Sequence, residues 1–139
     1  MDLQVSSYLL HRSPSIFLDK LLASDERHAL AKMRIHEELI FVEEEGLPTW
    51  TSIEIMAQTV SLYSGAYHAQ KNLPPRLGFL LGTKLLVASK PYFPMGSELL
   101  IRVKKKYMLN GLGAFECEIW CNEIYINSIL KVYQPDYVE

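Results

Sequence analysis

Trp50-Thr51-Ser52-Ile53-Glu54-Ile55-Met56-Ala57-Gln58-Thr59-Val60 is the stretch on which the fold turns. Apolar residues recur at Ile53, Met56, Ala57, Val60, Tyr63 and Tyr67, the spacing of a helix that buries one stripe. Glu54, Gln58, Ser61 and Gly65 form a second stripe, and Ala57, Ser61, Ser64, Gly65 and Ala66 keep the helix thin. A thin helix can be wrapped closely by a sheet. An acid caught in such a wrapping is desolvated and holds its proton more tightly, towards the range useful for proton transfer. The helix is expected from about Trp50 to Gln70, and Asn72-Leu73-Pro74-Pro75 ends it because proline cannot continue a helix.

Outward from the helix, the flanks read as strands. Upstream, Asp2 to Leu10 is expected as a short helix ending at His11-Arg12-Ser13-Pro14. Ile16 to Leu22 and Ala29 to Ile35 are expected as two strands joined by the polar turn Ser24-Asp25-Glu26-Arg27. An acidic loop, Glu43-Glu44-Glu45-Gly46-Leu47-Pro48, leads into the helix. Downstream, Leu77 to Ala88 is nearly continuous apolar sequence and reads as a central strand buried on both faces. Pro91 and Pro94 break the chain before Glu98 to Met108, where Leu99, Ile101 and Val103 alternate with Leu100, Arg102 and Lys104. Asn110-Gly111 is a hairpin signal, since both residues tolerate the positive φ of a type I′ turn. Phe115, Cys117, Ile119 and Cys121 share the next face, and a turn near Asn122-Glu123 leads into Ile124 to Tyr133.

Two strands, one long helix and a meander of about four strands make an α+β chain whose sheet curls around a single helix, the hotdog arrangement. A ferredoxin-like fold would need a second long helix. Hotdog protomers usually pair edge to edge, with active sites between subunits.

The 139 residues suffice for one domain, 1–139, and 49% of them are apolar. The net charge of −2 argues against nucleic-acid binding driven by bulk charge. No apolar run approaches the roughly 18 residues that cross a bilayer, so no membrane partner is expected. Met1-Asp2-Leu3-Gln4 does not open like a secretory signal. Cys117 and Cys121 point the same way from one strand, too far apart to bond, as packed thiols in the cytoplasm would be. No Cys/His spacing suits zinc and no glycine-rich loop suits a phosphate, so no metal or cofactor is expected.

With these motifs placed, the chain resembles the 3-hydroxyacyl-acyl-carrier-protein dehydratases over roughly Leu10 to Pro135. Leu10-His11-Arg12-Ser13-Pro14 followed by Phe17-Leu18-Asp19-Lys20 is similar to the family's L-P-H-R-x-P…L-x-D-R element. Glu54-Ile55-Met56-Ala57-Gln58 matches the E-x-x-A-Q of its central helix, and Pro94-Met95-Gly96-Ser97-Glu98-Leu99 looks like its P-G-D-x-L. Gly78-Phe79-Leu80-Leu81-Gly82-Thr83 and Tyr133-Gln134-Pro135 look most like the shorter dehydratases of aryl polyene clusters.

The resemblance implies loss of water from a 3-hydroxyacyl thioester, forming a trans-2-enoyl thioester in fatty acid or aryl polyene type biosynthesis. It implies an acyl carrier protein presenting the substrate on a phosphopantetheine arm, and a homodimer or a heterodimer with a related dehydratase. In the family a histidine takes the α-proton, the helix carboxyl protonates the departing hydroxyl, and a backbone N–H near the helix start polarises the carbonyl. Glu54 is the position matching the acid, and Gln58, one turn on, is placed to hold it by a hydrogen bond.

The family's loop histidine, G-H-F-P-G, does not carry over: this chain has Val42-Glu43-Glu44-Glu45-Gly46-Leu47-Pro48 there. His11 is the first replacement as base, because the matching element lies by the family's substrate tunnel. His36 is second, with a substrate-binding role; His28 and His68 read as surface residues. The three glutamates read as a solvated loop, with a carboxylate base as their sharper alternative.

Glu54 has a structural rival role, since Thr51-x-x-Glu54 fits a capping box. Arg102, Lys104, Lys105 and Lys106 suggest a dock for an acidic carrier, against pairing with Glu116 and Glu118 across the hairpin. Two further functions fit the same residues. One is a catalytically silent hotdog subunit partnering an active dehydratase. The other is a hotdog acyl thioesterase, whose helix carboxylate activates water.

Overall fold

The structure is a computed structural model that describes residues 16–73, 79–83 and 88–135. Its elements follow in the order β1 (Lys20–Ser24), β2 (His28–Arg34), β3 (Gly46–Pro48), a 3-10 turn (Thr49–Thr51), α1 (Ser52–Ala69), β4 (Phe79–Thr83), β5 (Tyr92–Pro94), β6 (Glu98–Leu109), β7 (Leu112–Cys121) and β8 (Ile124–Tyr133). Six strands form one antiparallel sheet in the order β1-β2-β6-β7-β8-β4. This sheet curls around α1, so the hotdog arrangement expected from the element order is the fold observed.

Strand alternation builds the core. Leu99, Ile101 and Val103 of β6, Phe115, Cys117 and Ile119 of β7, and Ile126 and Leu130 of β8 are buried. From α1 they meet Ile55, Met56, Leu62, Tyr63 and Ala66. Tyr63 lies edge-on to Phe115 at 5.5 Å between ring centroids, and its hydroxyl donates to the Glu26 carbonyl in the β1–β2 turn. Helix and sheet are thereby tied at a polar point as well as through apolar contact. Cys117 and Cys121 are free, buried thiols on β7, as expected.

The β6–β7 hairpin turns at Asn110 (φ 52°) and Gly111 (φ 81°), the two positive φ values that a type I′ turn demands. A Cβ on Gly111 would lie 2.6 Å from the Gln134 carbonyl oxygen, so this turn requires glycine twice over. That close approach lets the Gln134 N–H donate to the Gly111 carbonyl at 2.8 Å, fastening the segment after β8 to the hairpin.

Four expectations need correction. The apolar run Leu77 to Ala88 is not a central strand: its described part, β4, is a sheet edge, with Leu80 44% and Leu81 59% exposed. A continuous apolar run marks contact on both faces, and here one face of that contact is not supplied by the described residues. The strand expected from Ile16 starts at Lys20; residues 16–18 run beneath the helix, with Phe17 and Leu18 buried. The two-stranded sheet of β3 and β5 carried no readable period, being three residues per strand with a proline in each. His68 is fully buried, not a surface residue. The expected helix Asp2 to Leu10 lies outside the described residues. No helix among the described residues is long and apolar enough to cross a membrane.

Candidate active site

The sheet buries α1 almost all round. Of its 18 residues Glu54 alone is exposed, heading a half-buried seam of Ile53, Ala57 and Ser61. The sequence led us to expect Glu54 to be buried, and in the single chain it is not. It stands on the strip of helix that the sheet leaves uncovered, so desolvation there requires cover from beyond the described residues.

Gln58 is fully buried, and two of its contacts have opposite polarity. Its Nε2 donates to Glu54 Oε1 at 3.3 Å, and its Oε1 accepts the Phe17 N–H at 2.9 Å. The backbone bond fixes which way the amide points, so the NH₂ group faces the carboxylate. Gln58 therefore orients Glu54 and ties down the segment before β1 with one side chain. The hydroxyl half of the capping box is not made: Thr51 Oγ1 donates back to the Pro48 carbonyl at 2.7 Å. Beside it, the Ser52 hydroxyl is buried with no hydrogen-bond partner among the described residues.

Two exposed aromatics stand before the helix. Phe41 (52% exposed) and Trp50 (58%) lie 5.2 Å apart in a tilted pair. Phe41 adopts φ 68°, a conformation that costs a bulky residue energy and persists only where the surroundings impose it. Trp50 lies four residues before Glu54, and a cavity of about 430 Å³ lined by Thr49, Trp50, Ala88, Ser89, Lys90 and Pro91 opens beside it. The sequence reading passed over this pair. Its only signal was two large aromatics bracketing the acidic loop. In that loop Tyr92 Oη donates to Glu43 Oε1 at 2.9 Å, and the carboxylates of Glu43 and Glu45 push the phenol up to about 12. Glu43 thus anchors the loop to β5.

The structure brings Glu54 and Gln58 together and disperses the histidines. His11 lies outside the described residues. His36 is exposed in the loop after β2, on the side where the chain returns to the start of α1. Its Nδ1 accepts the Glu38 N–H at 3.2 Å, so the neutral ring carries its proton on Nε2 and presents a donor rather than a basic lone pair. His28 pairs with Asp25 at 3.1 Å. That pairing and the N–H groups of Arg27 and His28 hold the Asp25 carboxyl below its usual range, the Arg27 bond most.

His68 is 14 residues beyond Glu54 on α1, about 21 Å along the axis. Its Nδ1 lies 2.8 Å from the Ser64 carbonyl oxygen, and Ser64 Oγ donates to Gln134 Oε1 at 2.8 Å. This is a structural network that ties the end of α1 to the segment after β8. Among the described residues no group of three or more His, Cys, Asp or Glu side chains is arranged to hold a metal ion.

Strand alternation divides the basic run. Arg102 pairs with Glu118, which also accepts from Tyr125, and Lys104 stands opposite Glu116, all on the convex face. Lys105 falls on the row of Leu99, Ile101 and Val103, facing the helix side. The run is therefore not one docking patch.

Comparison with known proteins bears on this site. The sequence model for the ApeP-like family, described as ApeP dehydratase, matches residues 3–139. No curated protein matches the sequence. A solved structure titled the dehydratase heterocomplex ApeI:P, from Xenorhabdus doucetiae, superposes with a TM-score of 0.89 at 27% identity, covering 98% of this chain and 93% of that one. A hypothetical thioesterase with coenzyme A from Streptococcus pneumoniae TIGR4 gives 0.64 at 8% identity over 83% and 84%. The PaaI protein of E. coli gives 0.62 at 11% over 81% and 80%. At such identities the last two speak for the fold alone. The first shares fold and sequence across nearly the whole chain, and with the family match it settles the assignment: the chain belongs to the ApeP-like dehydratase family.

Proposed function

We propose that this chain removes water from 3-hydroxyacyl thioesters carried on an acyl carrier protein, with Glu54 as the proton donor. One observation carries the reading: the single exposed residue of an otherwise wrapped helix is a carboxyl, held in one orientation by a buried glutamine. The family match supports it.

In the reaction a base takes the α-proton and the electron pair becomes the Cα–Cβ double bond. The Cβ–O bond breaks as Glu54 gives its proton to the departing oxygen, releasing water and leaving a carboxylate that Gln58 Nε2 stabilises. N–H groups of the first turn of α1 face the thioester oxygen as charge builds there. The seam of Ile53, Ala57 and Ser61 runs from Glu54 along the helix as a track for an acyl chain. A second subunit over this seam strips water from Glu54 and raises its proton affinity. The base is His11 of this chain or a residue of that second subunit, in keeping with the ApeI:P structure being a dehydratase heterocomplex. The reaction takes place in the cytoplasm and uses no cofactor.

A second reading has its own support. The uncovered Glu54 and the donor tautomer of His36 also suit a silent subunit that completes an active partner.

The chain, alone and with a co-produced dehydratase subunit, is given a 3-hydroxyacyl carrier protein and the products are weighed by mass spectrometry. Enoyl product that disappears in Glu54→Gln is the expected result. Full turnover by the Glu54→Gln assembly removes Glu54 from the chemistry and leaves the silent-subunit reading, and release of free acid replaces both with thioester hydrolysis. Loss of turnover in His11→Ala assigns the base to this chain.

A further inference from the structure

At the end of α1 opposite to Glu54, two cations converge on one tyrosine ring and a third lines the same cavity. Lys71 Nζ lies 4.6 Å from the Tyr67 centroid and Lys105 Nζ 5.4 Å from it. Attraction to the ring face lets two ammonium groups approach each other instead of splaying into solvent. Arg27 is brought to the same place by a reciprocal bond to β6: the Lys105 N–H donates to the Arg27 carbonyl at 2.7 Å, and Arg27 Nη2 donates to the Lys105 carbonyl at 3.2 Å. These three, with Glu26, Gln70 and Tyr67, line a cavity of about 310 Å³.

Lys105 reaches this cavity because of its register. It occupies the helix-facing row of β6 at the point where the pairing slips between Lys105 and Tyr107. Bulges of this kind re-aim side chains. The carbonyls at the end of α1 account for a cation nearby. They do not account for three arriving from a turn, a helix end and a strand around one cavity, in whose lining Glu26 is the carboxylate among the described residues. A carboxylate ligand is satisfied by one arginine fork. Cations from three directions, joined by the Gln70 amide, suit an anion with several oxygens pointing apart.

We infer that the cleft bounded by Arg27, Lys71 and Lys105 binds the phosphate group of a phosphate ester. The ester is either a free small molecule or the phosphodiester of an arm borne on a carrier protein, and the same cations serve both. The inference does not depend on Glu54 chemistry, since binding is read directly and a protein inactive in dehydration still reports it.

Calorimetric titration at low ionic strength tests it, using the full chain with 4′-phosphopantetheine, with pantetheine, and with apo and holo acyl carrier protein. We expect the phosphorylated ligand to bind about tenfold more tightly than pantetheine and inorganic phosphate to compete with it. Lys71→Gln and Lys105→Gln should each weaken it about fivefold, with melting curves confirming that both variants fold. Lys104→Gln, on the opposite face of β6, should leave it unchanged. Holo carrier binding more tightly than the free ester identifies the carrier as the source, the reverse identifies a small molecule, and either result upholds the site. Equal affinity for pantetheine or equal loss in Lys104→Gln overturns it.

Discussion

The two halves of α1 each carry a polar pair four residues apart, and they are built for opposite ends. Near the start, Gln58 is buried and reaches an exposed Glu54 at 3.3 Å. Near the finish, Ser64 and His68 are both buried and close on Gln134. The first pair leaves a carboxyl facing outward, while the second satisfies its groups internally. The same spacing on the same helix serves chemistry in one place and fastening in the other, and exposure is what separates them.

The comparison breaks most visibly at Glu54. Glu54→Gln should cut dehydration by about 10²–10⁴-fold, as expected for losing an acid group. Stability should stay within about 0.5 kcal/mol because the residue is exposed. Enoyl formation and urea unfolding, measured on one preparation, check both halves of that statement.

Gln58 belongs to both worlds. Gln58→Leu orphans the Phe17 N–H and unfastens Glu54, so unfolding should come about 1–3 kcal/mol more easily and turnover should fall about tenfold. His68→Leu is the complement: a loss of about 1–3 kcal/mol in the same urea titration, with turnover per folded molecule unchanged. Should turnover collapse while the fold survives, the distant end is not merely structural.

Ser52→Ala should be neutral or gain up to about 1 kcal/mol, since the variant removes a buried hydroxyl with no hydrogen-bond partner among the described residues. The smallest effect concerns the acidic loop. Tyr92 is pushed up to about 12, above the ordinary value near 10. Its contact with Glu43 therefore stabilises the loop fully below pH about 10 and is lost as pH rises through about 12. Absorbance titration of the tyrosinates should include a late step from Tyr92, and Glu43→Gln should move that step down.

Much of this was legible in advance wherever the chain obeys a short period. The helix, the β6–β8 meander and the Asn110-Gly111 turn follow from spacing and from which residues tolerate positive φ. The Glu54–Gln58 contact followed as well, being one helical turn. What spacing cannot supply is which parts of each face the rest of the chain covers. Glu54 and His68 are both polar residues on one helix, yet only the sheet's reach decides that one faces solvent and the other does not. The apolar run around β4 suggested a centre, because a continuous apolar stretch reads the same whether its strand ends at the middle or at the edge of the sheet. Lys104 and Lys105 sit side by side in sequence and on opposite faces of the strand, a distinction present in the alternation once the bulge is known.

The sheet's two outer strands, as described, are unequal. β1 is irregular between Leu21 and Ala23 and begins with the exposed Lys20, whereas β4 presents Leu80 and Leu81 to solvent. Assembly by strand addition needs two receptive rims to continue indefinitely. A particle with one adhesive rim and one blunted rim has a built-in stopping rule: the first pairing consumes the only site at which growth could proceed. Pairing through β4 would therefore end at two chains, and it would do so without any separate device to limit the size of the complex.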